Sequence, residues 1–216
     1  MRLLDLVLPP SCAGCGRFGA LLCAVCRDSF RPPVDADDRF LAPDAGVVVG
    51  DACELAVAAF AYEGALRRAL QRLKYGHVAR LARPLAEAAA PTLVGFLASV
   101  DAMVLAPVPL HAARRRERGY NQAALLADEL GHLARMPVHD LLERRKQTTR
   151  QHKLDRAARV RNLAGAFGVR AESQVPPSVL VVDDILTTSA TLETCAAALR
   201  DAGARSVYGF ALAREV

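Results

Sequence analysis

One stretch of sequence decides the fold: Val179-Leu180-Val181-Val182-Asp183-Asp184-Ile185-Leu186-Thr187-Thr188-Ser189-Ala190-Thr191. Its four leading apolar residues predict a buried parallel strand, because the run is too short and too rich in β-branched residues for a helix. Two adjacent carboxylates follow at the carboxyl end of the strand, where open α/β sheets bind ligands. Hydroxyl residues then lead into a helix predicted over 192–201. Free backbone N–H groups at that helix start predict a phosphate site.

The paired acids narrow the kind of phosphate compound. A Walker loop would place a lysine before its Ser or Thr, and a dinucleotide fold would carry G-x-G-x-x-G, but the stretch has neither. Carboxylates beside a phosphate loop suit vicinal hydroxyls, which donate hydrogen bonds to them. A ribose 5-phosphate offers both parts. The alternative is an ordinary strand, turn and helix in which the acids cap the helix.

The same stretch resembles the motif with which type I phosphoribosyltransferases bind phosphoribosyl pyrophosphate (PRPP). The resemblance implies that Asp183 and Asp184 bind the ribose hydroxyls. It implies that the 5-phosphate is bound by Thr187, Thr188, Ser189, Ala190 and Thr191, although Ser189-Ala190 stand where family members often carry glycine. The fold expected from it is α/β, with a type I phosphoribosyltransferase-like parallel sheet flanked by helices.

Length and composition agree with such a fold. The 216 residues allow one α/β domain and a small appendage, and an apolar content of 52% is ample for a core. With 5% aromatic residues and no Trp, the chain is a poor candidate for the usual stacking platform for single-stranded nucleic acid. The net charge is only +5. No stretch predicts a membrane span, so a cytoplasmic protein is expected.

Four cysteines near the amino end predict a separate small unit. Cys12-x-x-Cys15 and Cys23-x-x-Cys26 form two knuckles that suit tetrahedral zinc, since each directs two thiolates at one ion. A segment this short cannot bury a core, and metal binding would supply much of its folding free energy. The spacing and the short segment therefore predict a structural zinc ribbon over 1–35. Two disulfides or a redox C-x-x-C are the alternatives.

The remaining chain divides into a linker and a main domain. Prolines and acids over 36–54 predict a linker or irregular segment, and 55–216 is predicted to form the main domain. Helices are predicted over 63–75 and 78–97, the second with a candidate break at Pro91. The first has leucines at helical spacing and is expected to turn its basic residues, Arg67, Arg68, Arg72 and Lys74, outward.

A basic segment follows the strand predicted over 102–107. It is interpreted as a loop that carries Arg114, Arg115, Arg116 and Arg118 and then opens a helix at Gly119-Tyr120-Asn121-Gln122. Guanidinium groups pair bidentately with phosphate oxygens, so Arg114 and Arg118 are candidate pyrophosphate ligands. A solvated basic turn without a ligand is the alternative. Right-handed βαβ topology would bring this loop to the same sheet edge as the acids.

A second basic region lies between Leu142 and Phe167. Its apolar periodicity is weak, which predicts a mobile loop. Such loops close over reactive phosphate esters and exclude water. The candidate lid residues are Arg144, Lys146, Thr148, Gln151, Arg159 and Asn162. The alternatives are an electrostatic nucleic-acid surface or an exposed helix without a role.

Three further motifs resemble the ComF family. They are Leu73-Lys74-Tyr75, Pro107-x-Pro109-Leu110-His111 with Arg114-x-x-x-Arg118-Gly119-Tyr120-Asn121-Gln122, and Thr148-x-x-Gln151-x-x-Leu154 with Arg159-x-x-Asn162. Together with the four-cysteine unit and the PRPP-type motif, the resemblance covers nearly the whole chain. It implies a zinc ribbon fused to a type I phosphoribosyltransferase fold, in a family linked to DNA uptake in natural transformation.

Two functions from different classes follow from these expectations. In the first, the chain is a phosphoribosyltransferase that uses Mg²⁺-bound PRPP or a related sugar phosphate and releases pyrophosphate, with no residue that stands out as a general base. In the second, it is a non-catalytic accessory that binds single-stranded DNA and works with DNA-uptake proteins. The intact Asp pair favours sugar-phosphate binding in both.

Overall fold

A central sheet of mainly parallel strands organises the molecule. The computed structural model describes residues 9–33, 47–48, 50–145, 165–187 and 189–215. The described strands are β1 (Val47–Val48), β2 (Leu55–Ala61), β3 (Val104–Pro107), β4 (Leu142–Arg144), β5 (Phe167–Val169), β6 (Ser178–Leu186) and β7 (Ser206–Arg214). The central sheet has the order β1-β2-β7-β6-β3, in which β1 is antiparallel and the other four strands are parallel. The predicted α/β class is confirmed.

Helices cover both faces of the sheet. They are α1 (Ala24–Asp28), α2 (Gly64–Tyr75), α3 (Ala82–Leu97), α4 (Ala112–Arg118), α5 (Gln122–Ala134) and α6 (Ala190–Asp201), with a 3₁₀ turn at Ala79–Leu81. Side chains alternate across the strands, so Leu180 and Val182 of β6 face α2, α3 and α5. Val179 and Val181 face α6 and the β4–β5 pair. Because both faces are buried, β6 is apolar without alternation, as the sequence predicted.

Two segments differ from their predicted structure. The basic residues after β3, expected in a loop, form helix α4. His111 is its N-cap residue, and its side chain accepts a hydrogen bond from Ala113 N at 3.2 Å. Helix α3 continues through Pro91 without the expected break. Flanking turns and buried leucines at positions 85 and 93 hold that helix against the sheet despite the missing N–H group.

The region between Leu142 and Phe167, predicted as one mobile loop, begins in strand β4 and ends in strand β5. β4 and β5 pair antiparallel, with Leu142 opposite Val169 and Arg144 opposite Phe167. Leu142 and Phe167 are buried against α6, which the weak periodicity of so short a strand did not indicate. Residues 146–164 lie outside the described residues, and with them Lys146, Thr148, Gln151, Arg159 and Asn162.

The division into 1–35, 36–54 and 55–216 stays a prediction. Within the segment expected to be a linker, Val47 and Val48 pair with Ala56 and Leu55 at the edge of the sheet. The described cysteine unit, 9–33, packs against α2 and β2. No helix in the described part of the chain combines the length and apolar content that a membrane crossing requires.

Candidate functional site

The four predicted zinc ligands come together in one cluster. The Sγ atoms of Cys12, Cys15, Cys23 and Cys26 all lie within 4.8 Å of one another. Sγ of Cys23 is 3.6 Å from that of Cys12 and 3.7 Å from that of Cys15. A zinc ion with Zn–S bonds of about 2.3 Å separates its sulfurs by about 3.8 Å, whereas a disulfide needs about 2.05 Å. The donor set and spacing therefore fit a structural zinc ion.

Hydrogen bonds to sulfur favour the thiolate form of one ligand. The backbone N–H groups of Gly14 and Cys23 donate to Cys12 Sγ at 3.4 and 3.3 Å. Burial opposes ionisation, but these bonds and the backbone of Cys15 lower the pKa of Cys12 to about 6. Burial and the neighbouring sulfurs raise the pKa of Cys26 to about 12. A divalent cation would stabilise all four thiolates together.

The cysteine unit is attached to helix α2. Arg68 Nε donates to the Gly14 carbonyl at 2.5 Å, and Arg72 reaches the Ser11 and Cys12 carbonyls at 3.4 Å each. The unit is packed closely here, because a Cβ at Gly14 would lie 2.7 Å from Cys26 Sγ and 3.0 Å from Ala65 Cβ. Arg68 and Arg72, predicted to point to solvent, therefore anchor this unit.

The two carboxylates lie in the last part of β6, at its carboxyl end, and differ in their surroundings. Asp184 is buried, and its Oδ2 accepts from Lys74 Nζ at 2.9 Å and from Gln122 Nε2 at 3.3 Å. Asp183 is half-buried, and its Oδ1 accepts from the Asp184 N–H at 2.8 Å. Burial and then the Asp184 charge raise the pKa of Asp183 to about 8. The pair therefore combines a fixed anion with a carboxyl group that holds its proton near neutral pH.

The loop predicted to bind phosphate leads into helix α6 beside this pair. Thr187 is exposed, and Ser189 adopts the left-handed conformation with φ +61°. Ser189, the residue before α6, makes no side-chain hydrogen bond to the first turn, and N–H groups at a helix start can bind an anion. Ala190 is buried and Thr191 half-buried, while Thr188 lies outside the described residues.

Hydrogen bonds to the segment before β2 fix the position of α6. The Glu193 carboxylate accepts from Ala52 N and Cys53 N, at 2.9 Å each. Arg200 donates to the Ala52 carbonyl at 3.0 Å and pairs with Glu54 at 2.8 Å. Cys53 and Cys195 are fully buried, as expected of apolar thiols, and burial raises the pKa of both.

The predicted pyrophosphate ligands are placed differently from each other. Arg118 is 6% exposed, and its guanidinium lies 4.9 Å from the centroid of the Tyr75 ring. Its buried Nε has no hydrogen-bond partner among the residues that the structure describes. Arg114 is half-buried. Burial and then the positive charge of Arg114 lower the pKa of Arg144. Arg144 belongs to β4 and stacks 5.2 Å from the Phe167 ring. The structure thus brings Arg114 near Arg144 and turns Arg118 towards the end of α2.

Sequence reasoning missed two residues at the carboxylates. Lys74, expected on the outer face of α2, has a side chain only 15% exposed and pairs with Asp184. Gln122, the first residue of α5, is 5% exposed. Both belong to motifs that carried the ComF resemblance, Leu73-Lys74-Tyr75 and the run that ends in Gln122, so the motifs indicated the residues but not their contact with Asp184.

Fold and sites define a class: a mixed α/β protein with paired acids near the carboxyl end of a central strand and a four-cysteine cluster that could hold a metal ion. No family model matches the chain. The chain is 36% identical over 111 residues to competence protein F of Haemophilus influenzae, covering 50% of this chain and 48% of that protein. It is 37% identical over 112 residues to competence protein ComFC of Bacillus subtilis, covering 51% and 44%.

DNA utilization protein YhgH of Escherichia coli is 33% identical over 108 residues, covering 50% of this chain and 47% of that protein. The chain thus spans about half the length of the curated relatives it matches. Over that half, the chain is similar to proteins named competence protein F and ComFC, in agreement with the ComF resemblance of its motifs.

Proposed function

We propose that the chain binds PRPP or a related sugar phosphate between the Asp183–Asp184 pair and the start of α6. The single observation that carries the proposal is the pair of carboxylates near the carboxyl end of β6, in the strand that leads through residues 187–189 to the start of α6, where Ser189 provides no side-chain cap. Acceptors for vicinal hydroxyls and donors for a phosphate are thereby placed next to each other. The names of the relatives suggest that this binding serves DNA uptake or utilization.

Each group has a distinct part in the proposed complex. The half-buried carboxyl of Asp183 faces the ribose hydroxyls, and residues 187–191 with the first turn of α6 bind the 5-phosphate. Arg114 and Arg118 neutralise the pyrophosphate, with Arg144 and the 146–162 region as a lid. Asp183 is the residue that would meet a Mg²⁺ ion brought in with the substrate, because carboxylate oxygens are of the type that this ion accepts.

A transferase reaction at this site would exchange one bond at C1 of the ribose. The bond from C1 to the pyrophosphate oxygen breaks, the pyrophosphate leaves with the electron pair, and an acceptor atom bonds to C1. Guanidinium groups that stabilise the leaving charge would supply the main catalytic effect, with positioning as the second. Transfer is thus proposed as a reaction of the bound sugar phosphate with an acceptor molecule.

Calorimetric titration with PRPP and Mg²⁺ tests the binding proposal. We expect the wild type to bind and Asp183→Asn/Asp184→Asn to show no binding, because each amide offers one accepting oxygen in place of two and Asp184 loses the charge that pairs with Lys74. Asp201→Asn, an exposed acid at the far end of α6, is the matched control and is expected to bind as the wild type does. Equal affinity of the double variant and the wild type would contradict the ribose assignment.

The second candidate function is binding of single-stranded DNA as an accessory protein. It is favoured by the printed names of the relatives, competence protein and DNA utilization protein. Titration with an oligonucleotide at low and high salt tests it, because contacts to phosphates lose affinity steeply as salt rises. A folded, zinc-loaded chain that binds no oligonucleotide at low salt would exclude this function.

A further inference from the structure

Consecutive residues at the end of α2 contact the candidate sugar-phosphate site. The Leu73 carbonyl accepts from the Tyr120 hydroxyl at 2.6 Å. The next two residues are Lys74, which pairs with Asp184, and Tyr75, which stacks on Arg118. His77 Nδ1 then lies 3.2 Å from the Arg118 carbonyl and donates to it. Lys74 is thus held between two fixed neighbours and has little freedom to leave Asp184.

The donors around Asp184 give the two acids different roles. Lys74 and Gln122 both donate to the same oxygen, Oδ2, and the side chain of Asp184 is only 10% exposed. A buried carboxylate held by an ammonium group is costly to break, because either partner alone would be an uncompensated charge. Asp184 therefore keeps a fixed position, while the more exposed Asp183 next to it remains the group that meets a ligand.

We propose that Lys74 is a positioning residue of the sugar-phosphate site, which holds Asp184 in place and sets the charge of the acid pair that receives the ribose hydroxyls. This inference rests on the proposed function. It adds α2 to the site, although this helix precedes both predicted ligand segments by tens of residues. Lys74 acts through the acids and need not contact the sugar.

The charge that Lys74 sets is felt at Asp183 as well. Four groups face Asp183 from the surrounding elements: Asp184 on β6, Lys74 on α2, Arg144 on β4 and the Cys195 thiol on α6. Burial and Asp184 raise the pKa of Asp183, whereas Lys74 lowers it. Removing the Lys74 charge therefore moves deprotonation of Asp183 to higher pH, and any binding that needs the carboxylate moves with it.

The test compares three variants by calorimetric titration with PRPP and Mg²⁺ between pH 6 and pH 9. Lys74→Gln keeps a hydrogen-bond donor but loses the charge, and Lys74→Arg keeps the charge. Arg67→Gln neutralises an exposed cation on the same helix and is the matched control. We expect Lys74→Gln to bind about tenfold more weakly at pH 7 and to regain affinity about one pH unit higher. The arginine variant and the control should keep the wild-type profile.

Each other outcome overturns the inference. If Lys74→Gln is folded by its melting curve and binds with the wild-type affinity and profile, Lys74 does not position the site, while the proposed function stands. A uniform loss without a shift in the pH profile would assign Lys74 a structural role, as would failure of Lys74→Gln to fold. If the wild type itself binds no PRPP at any pH, the proposed function fails and this inference fails with it.

Discussion

At the scale of single residues, Asp183 shows how function opposes stability. Its carboxyl group is half-buried beside the Asp184 charge, which together raise its pKa to about 8. In the unfolded chain the same group releases its proton near pH 4. Between these values the folded state binds the additional proton, so the free energy of unfolding decreases as the pH rises. An acid that destabilises its own fold is typical of a binding site.

Substituting this residue should therefore stabilise the fold. We expect Asp183→Asn to raise the melting temperature at pH 8 by several degrees, since about 1 kcal/mol corresponds to 2–4 °C in a domain of this size. The gain should shrink as the pH falls below about 4, where wild-type Asp183 becomes protonated in both states. Thermal melts across this pH range measure it, with the exposed Asp51→Asn as control. A gain that does not change with pH would contradict the raised pKa.

At the scale of elements, α3 and α4 show where packing overrides local signals. Pro91 leaves the Glu87 carbonyl without its helical N–H donor, yet α3 runs from Ala82 to Leu97. Its buried side, which includes Leu85, Leu93 and Phe96, packs on the sheet and holds the helix together across the defect. In α4, the left-handed Gly119 ends the helix and aims the following residues at α2 and the acids.

Removing the proline should strengthen α3. We expect Pro91→Ala to raise the free energy of unfolding by about 1–3 kcal/mol, because the missing hydrogen bond is restored at an exposed position. Urea unfolding followed by circular dichroism measures the change. Pro84→Ala is the matched control: it lies in the first turn, where proline is tolerated, and should change stability little. Equal effects of the two variants would show that the defect at Pro91 is repaired in another way.

Local patterns predicted the elements better than the contacts between them. The apolar run of β6 and the leucine spacing of α2 are local signals, and both elements formed where expected. The direction of Lys74 was wrong, because helical periodicity treats every cation as solvent-facing and contains nothing about Asp184, which lies 110 residues later. The Asp pair and the cysteine knuckles could be selected from sequence, because residues that are adjacent or a few positions apart are close in space in any fold.

At the scale of the whole molecule, α2 joins the cysteine cluster to the acid pair. Arg68 and Arg72 hold the cysteine unit on one part of the helix, and Lys74 reaches Asp184 from its last turn. Twelve residues thus connect the two sites through one rigid element. A metal that orders the cysteine unit therefore also supports the helix from which Lys74 extends.

Metal analysis should find one zinc ion per folded chain, and Cys12→Ser should lose it. The variant should also expose residues 9–33 to proteases while the sheet remains folded, since both core clusters are built mainly from the sheet and its helices and this unit adds only Ala13 to their buried residues. Metal content by atomic emission and limited proteolysis measure these outcomes. Cys53→Ser, at a buried thiol outside the cluster, is the matched control and should retain zinc. Full zinc content in Cys12→Ser would contradict the ligand assignment.

The stacking of Arg118 on Tyr75 has an optical consequence. The chain has four tyrosines and no tryptophan, so its intrinsic fluorescence comes from tyrosine alone. Tyr75 contacts Arg118, the last residue of α4, and Tyr120, in the segment that joins α4 to α5, donates to the Leu73 carbonyl of α2. An anion that draws the guanidinium group of Arg118 away from the ring would alter the emission of Tyr75. Tyrosine emission would therefore report, without a label, the arrival of an anion at Arg118.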